Sequence, residues 1–287
     1  MIKAKGTLIP IGGNEDKGFE TDEKHTLEFI DEGILYHVVK EAGGIDAKIV
    51  VIPTASSIPV EVGENYMEAF TALGCKNVHI LNIRSKNDSE KEASIELIET
   101  ANCIMFSGGD QSKITKRIGG TRIHEILLER YMNEEGFVIA GTSAGAMAMT
   151  DEMIAGGSPK EAFIKGAVTM FKGLCLIPEL MIDTHFIRRG RFGRVSEAVA
   201  KYPSLLGIGL AEDTGVIIKN GNEFTVIGSG MVIVFDGSEL SHNNEKLLKE
   251  GTPMTMTHMI VHVLSNGDQY NIKNRKVSVL PIEAPFI

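Results

Sequence analysis

The sequence predicts an α/β fold, with a mostly parallel central sheet, helices on both of its faces and extra strands toward the C-terminus. Three observations predict it. Apolar runs of strand length recur through the first half of the chain. Segments with helical periodicity and charged faces separate them, as βαβ crossovers require. The runs themselves are almost purely apolar, which suits strands covered on both faces.

In order, the strand candidates are "GTLIPIGG", "AKIVVIPTA", "NVHILNI", "ANCIMFSGG" and "GFVIAGTS". Between them lie Thr26 to Glu41, Val60 to Leu73, Glu90 to Thr100 and Arg122 to Asn133, each long enough for a right-handed crossover helix. Ligands of such open sheets bind beyond the carboxyl ends of the strands. Four runs end in small or polar residues, "GGNEDK", "PTASS", "SGGDQ" and "GTSAGA", so four turns are expected to converge on one cleft. After residue 150 the pattern changes. Asp151 to Gly173 is glycine-containing and reads as a loop-rich flap. A helix candidate follows from Arg191 to Lys201, then strand candidates "LLGIGLAE", "GVIIKN", "EFTVIGSG" and "MVIVFDG", with Asn220-Gly221 as a turn signal. These are expected to extend or flank the same sheet. No repeat, low-complexity segment or linker marks a boundary, so residues 1–287 are expected to form a single domain.

The balance of 29 basic and 38 acidic residues gives a formal charge of -9, which argues against nucleic-acid and anionic-membrane partners. An anionic ligand must therefore meet a local patch of positive charge. Cys75, Cys103 and Cys175 are widely spaced in apolar surroundings and read as buried thiols suited to a reducing cytoplasm. The N-terminal "MIKAKGTLIPIGG" lacks the features of a signal peptide, and no apolar run approaches the roughly 18 residues of a membrane span. A soluble cytoplasmic protein is expected.

Ser143 lies at the centre of "GTSAG", a G-x-S-x-G pattern between an apolar strand candidate and a run of small helix formers, Ala144 to Met149. That context fits a strained turn presenting a nucleophile, and it also fits a packing turn. A serine nucleophile needs a base and a group to orient that base. Of eight histidines, His25, His37, His79 and His124 lie in or beside upstream helix and strand candidates, whereas His185 directly follows the apolar run of "MIDTHF". His185 is the candidate base. Glu212 closes another apolar run in "GIGLAEDTG" and is the candidate orienting carboxylate, with Asp213 and Asp183 as rivals. The N–H groups of Gly109 and Ala144 are candidates for an oxyanion hole. Of nine arginines, four fall in "RRGRFGR": Arg188, Arg189, Arg191 and Arg194. Planar guanidinium groups grip carboxylates in pairs of hydrogen bonds, so the cluster suggests a substrate with several carboxylates; a basic surface turn or subunit salt bridges are the alternatives. The glycine-rich turns lack dinucleotide-binding and P-loop spacings, and no metal-ligand spacing is present, so neither a cofactor nor a metal is expected.

Five ordered motifs together resemble the cyanophycinases: Gly12-Gly13 with Glu15-Asp16-Lys17, "SGGDQ" at 107–111, "GTSAGA" at 141–146, "DTHF" at 183–186 with its arginines, and "GLAEDT" at 209–214. Those enzymes belong with the dipeptidase E-like serine peptidases. The resemblance spans about residues 6–235 and implies a flavodoxin-like fold similar to class I glutamine amidotransferases. It implies an exopeptidase that cleaves the aspartate backbone of the cyanophycin polymer to β-aspartyl-arginine dipeptides, and a homodimer. It places Ser143, His185 and Glu212 in a triad, and Gln111, Asp183, Arg189, Arg191 and Arg194 on the substrate. Thr184 stands where the resemblance expects glutamine, which removes a side-chain amide. A dipeptidase acting on short aspartyl peptides is the alternative activity.

Overall fold

A computed structural model describes residues 3–19, 27–157, 161, 163–285 and 287. The first five strand candidates form β1 (Thr7–Ile11), β2 (Ile49–Ile52), β3 (Val78–Ile80), β4 (Cys103–Phe106) and β5 (Val138–Thr142). All five run parallel, in the spatial order β1-β5-β4-β2-β3. Their carboxyl ends therefore share one edge of the sheet. The connecting helices are α1 (Ile34–Glu41), α2 (Pro59–Ala72), α3 (Glu92–Glu99), α4 (Gln111–Ile118) and α5 (Arg122–Asn133).

The apolar character of the strands is explained by burial on both faces. Leu8, Ile52, Ile104, Phe106 and Ile139 pack with Ile98, Ile114, Ile126 and Leu127 on one side. Their strand neighbours Ile9, Val51, Met105 and Ala140 pack with Leu35, Val38, Tyr66 and Phe70 on the other. Alternation along each strand thus feeds two helical layers, and each large aliphatic residue so buried stabilises the fold by roughly 1.5–3 kcal/mol.

Two helices differ from expectation. The first is shorter than Thr26 to Glu41: Thr26 lies outside the described residues, and α1 begins only after Gly33. Helix α4 is unforeseen, because "QSKITKRI" offers only Ile114 and Ile118 as an apolar stripe; Asp110 starts it by accepting the Ser112 N–H at 2.9 Å.

Beyond β5, the chain forms α6 (Ala144–Met147), β6 (Glu152–Gly157), β7 (Val168–Lys172), β8 (Leu180–Asp183), α7 (Phe192–Lys201) and β9 (Leu206–Leu210). Then come β10 (Thr214–Lys219), β11 (Glu223–Gly228), β12 (Val232–Asp236), β13 (His242–Asn243), β14 (Met256–Thr257), β15 (Ile260–Leu264), β16 (Gln269–Asn271) and β17 (Lys276–Ser278). Strands β10, β11, β16 and β17 extend the central sheet antiparallel, to nine strands. The other late strands flank this sheet rather than extend it: β15-β12-β9-β8 is a separate four-stranded sheet, packed on α7. Its pairings are long-range, which local patterning does not report. The stretch read as a loop-rich flap is in part an antiparallel hairpin, β6 with β7, bent by an irregularity between Ile154 and Gly156. Residues 158–160 and 162 of that stretch lie outside the described residues. Cys75 and Cys103 are buried, whereas Cys175 is exposed between buried Leu174 and Leu176, because the chain turns there with φ 53°. Among the described residues, no helix is long and apolar enough to cross a membrane.

Candidate active site

The strand edge and the second sheet meet at Ser143. Strand β5 ends at Thr142 and α6 starts at Ala144, so Ser143 forms the whole turn, with φ 50° and ψ −106°. This is a strained geometry for a residue with a side chain. It is held by the Ser143 N–H donating to Ile11 O at 2.8 Å, and by close packing behind it. A Cβ on Gly145 would lie 2.6 Å from the Phe106 carbonyl oxygen, so glycine is required there. The candidate base arrives from the other sheet. His185 follows β8 with φ 49°, and its N–H donates to Gly12 O at 2.9 Å. The imidazole lies against Gly13, where a Cβ would come within 2.4 Å of the ring.

His185 Nε2 is 3.1 Å from Ser143 Oγ, and its Nδ1 is 3.2 Å from Glu212 Oε1. The Glu212 carboxylate accepts a hydrogen bond from Nδ1–H, which leaves Nε2 with a lone pair toward the hydroxyl. The rival carboxylates are committed elsewhere. Asp213 accepts the Asp16 N–H at 3.1 Å and the Ser229 hydroxyl at 2.6 Å, and Asp183 is bound to arginines. Burial holds the His185 pKa below its ordinary value, the Arg189 charge adds to that, and Glu212 opposes both in part. The imidazole is therefore neutral at pH 7, as a proton acceptor must be. His25 lies outside the described residues; His37 is buried in α1, and His124 contacts Leu174 O at 2.8 Å.

Three of the four expected turns line a cleft of about 780 Å³ at Ser143, through Gly13, Asn14, Glu15, Lys17, Gly108, Gly109, Thr142 and Ser143, with His185 and Arg189 beside them. The "PTASS" turn is not among them; its Ala55 carbonyl accepts the Asp110 N–H at 3.0 Å and so supports the Gly109 turn from behind. Neither the Gly109 nor the Ala144 N–H donates to an acceptor among the described residues.

Of the residues expected on the substrate, the structure brings only Arg189 to the cleft. Asp183 is fully buried and receives Arg194 Nε at 2.7 Å, Arg194 Nη2 at 2.5 Å and Arg191 Nη1 at 2.9 Å. Arg191 also holds the Thr184 carbonyl at 2.6 Å. Asp183, Arg191 and Arg194 face one another because a buried charge needs opposite charge and hydrogen bonds around it. Gln111 is likewise turned into the protein, where its amide donates to Ile154 O at 2.8 Å and Ala155 O at 3.2 Å, holding β6. Thr184, in place of the expected glutamine, is fully buried, and its hydroxyl has no partner among the described residues.

Sequence reading placed the "GGNEDK" turn at the cleft but assigned no role to Glu15 or Lys17. The Glu15 carboxylate is buried, receiving Thr142 Oγ1 at 2.6 Å, the Tyr66 hydroxyl and Lys17 Nζ at 2.9 Å. Burial pushes its pKa up, but the Lys17 charge and the hydroxyl donors outweigh this and hold it below the ordinary carboxylate range. Lys17 also lies over the Tyr66 ring, 5.0 Å from its centroid. The partners Thr142 and Tyr66 lie far from Glu15 in sequence, so the run marked the turn but not this network.

The chain matches the description Peptidase family S51 over residues 21–227. It is 36% identical to a protein named cyanophycinase from Trichormus variabilis over 273 residues, covering 95% of this chain and 88% of that one. It is 34% identical to a cyanophycinase from Geminocystis herdmanii, covering 95% of this chain and 96% of that one. Among solved structures it is similar to a peptidase from an acI-B1 Actinobacterium, with a TM-score of 0.62 at 18% identity, covering 91% of this chain and 99% of that one. A putative peptidase E protein from Listeria monocytogenes gives 0.51 at 16% identity, covering 78% and 99%. These two likenesses concern the fold. With Ser143 turned toward a neutral histidine at the end of a parallel sheet, and a family match over most of its length, the chain belongs to peptidase family S51 and is a serine-type peptidase.

Proposed function

We propose that the chain hydrolyses cyanophycin, a poly-aspartate whose side-chain carboxyls carry arginine, to β-aspartyl-arginine dipeptides. The observation that carries this reading is the line of hydrogen bonds from Ser143 through His185 to Glu212, opening on a cleft walled by Arg189 and Lys17. The relatives named cyanophycinase support the substrate. Ser143 Oγ attacks the backbone carbonyl while His185 Nε2 takes its proton. Glu212 holds the ring and stabilises the imidazolium that forms. The N–H groups of Gly109 and Ala144 face the oxyanion, stabilising charge that exists only near the transition state. His185 then gives its proton to the leaving amine, and water, activated by the same ring, releases the acyl group. Each arginyl branch keeps an α-carboxylate, which suits the Arg189 guanidinium.

Incubation of the purified protein with cyanophycin, followed by mass identification of soluble products, tests the reading; β-aspartyl-arginine is expected. Cleavage of short aspartyl peptides with none from the polymer would instead assign a dipeptidase. A cytoplasmic homodimer belongs to the same reading, and light scattering should give twice the mass of one chain.

The pH profile tests the base. The His185 pKa is depressed, so the ring gains its proton only below the ordinary value of 6.5. We expect kcat/KM to be flat at neutral pH and to fall on acidification with a midpoint below 6.5. Arg189→Gln removes a repelling charge, so the midpoint should move up, while kcat/KM falls about 10- to 150-fold from the lost charge-assisted hydrogen bond. A midpoint unmoved by Arg189→Gln would show that the arginine does not act on His185.

A further inference from the structure

The strand order sets a second pocket beside the cleft. The turns after β2 and β3 lie next to the Gly109 turn after β4, and with α4 they enclose about 330 Å³ lined by Thr54, Ser56, Asn82, Arg84, Lys113 and Arg117. Three of these residues are cationic, and no carboxylate among the described residues lines the pocket. Arg117 donates to Thr54 O at 3.1 Å and Lys113 to Ser56 O at 3.4 Å, so both are oriented by neutral carbonyls. Asp110 feels the Lys113 charge, yet no ion pair to Arg84, Lys113 or Arg117 exists among the described residues. On a chain of net charge -9, three cations that line one cavity, with Asp110 close to Lys113 but none of the three in an ion pair among the described residues, suit an anion.

We infer that this pocket is a remote subsite for the polymer, binding the arginine carboxylate of a repeat several units from the bond cut at Ser143. The inference rests on the cyanophycin reading above. Strands β2 and β3 lie two and three places from β5, and neighbouring strands are about 4.8 Å apart, so the pocket stands roughly 10–14 Å from the nucleophile. An extended backbone advances roughly 3.3–3.6 Å per residue, so a chain held at Ser143 reaches the pocket after about three or four aspartates. Short fragments end before it. Chain length, rather than chemistry at the cut bond, is then what the pocket senses.

The test uses soluble cyanophycin fragments of two, four and six repeats. For the wild type, kcat/KM should rise about tenfold or more between the two-repeat and the longer fragments, through KM, as expected for one added charge-assisted contact. Arg84 is exposed and its guanidinium makes no ion pair among the described residues, so Arg84→Glu is expected to fold normally and to abolish the rise, leaving the two-repeat rate within about twofold. Arg84→Ala with Lys113→Ala should reproduce this without charge reversal. An unchanged length dependence in these variants, or an equal loss on every fragment, overturns the remote subsite and leaves the substrate reading standing. A wild type inactive on all lengths overturns the substrate reading, and the subsite with it.

Discussion

Ser143→Ala is expected to remove roughly 10³ to 10⁶ of kcat and leave the fold intact. In the proposed reading the hydroxyl supplies the attacking atom, and its contact is with His185 Nε2 at 3.1 Å, so nothing in the core depends on it. The backbone bond from Ser143 N–H to Ile11 O survives the change and keeps the turn in place. His185→Ala should cost a similar factor, and the double variant hardly more, because base and nucleophile act as one unit. Turnover on cyanophycin and unfolding midpoints for the three proteins check this. Either single variant retaining more than about a tenth of the wild-type rate would refute the assignment.

The second large effect is on stability. Asp183→Ala strips the partly buried Arg191 and the buried Arg194 of their shared counter-charge, and breaking a buried ion cluster from one side costs about 3–5 kcal/mol. Denaturant midpoints measured by circular dichroism should fall accordingly. Asp183 also accepts the Thr184 N–H at 2.8 Å, one residue before His185, so activity should fall with stability. An unchanged midpoint with a raised KM would instead place Asp183 on the substrate, as the resemblance implies.

The contrast between these residues shows what was legible in the sequence. The parallel strands and most helices could be read because burial on two faces writes long apolar runs, a signal carried by each segment alone. Ser143, His185 and Glu212 each ended such a run, and their convergence followed from where strands end. The split into two sheets was illegible, since pairing of β12 with β9 and β15 joins segments far apart in sequence. The arginines were read as one cluster because they adjoin in sequence. In space the helical turn sends Arg191 and Arg194 inward to Asp183 and leaves Arg189 at the cleft. Charge on a side chain states that it needs a partner; it does not state whether that partner is substrate or protein. Glu15 makes the same point in reverse, a carboxylate buried among hydroxyls supplied by Thr142 and Tyr66.

Ser143 stands at the end of the nine-stranded sheet, while His185 and Glu212 stand at the ends of strands in the four-stranded one. A molecule that grips both Ser143 and His185 therefore rivets two separately hydrogen-bonded sheets together. Occupancy and heat resistance become linked by mass action: a ligand present at a hundred times its dissociation constant adds about 2.7 kcal/mol to the folded state. During a heat challenge the protein outlasts its own empty form for as long as such a ligand remains, and becomes most perishable once that ligand is spent.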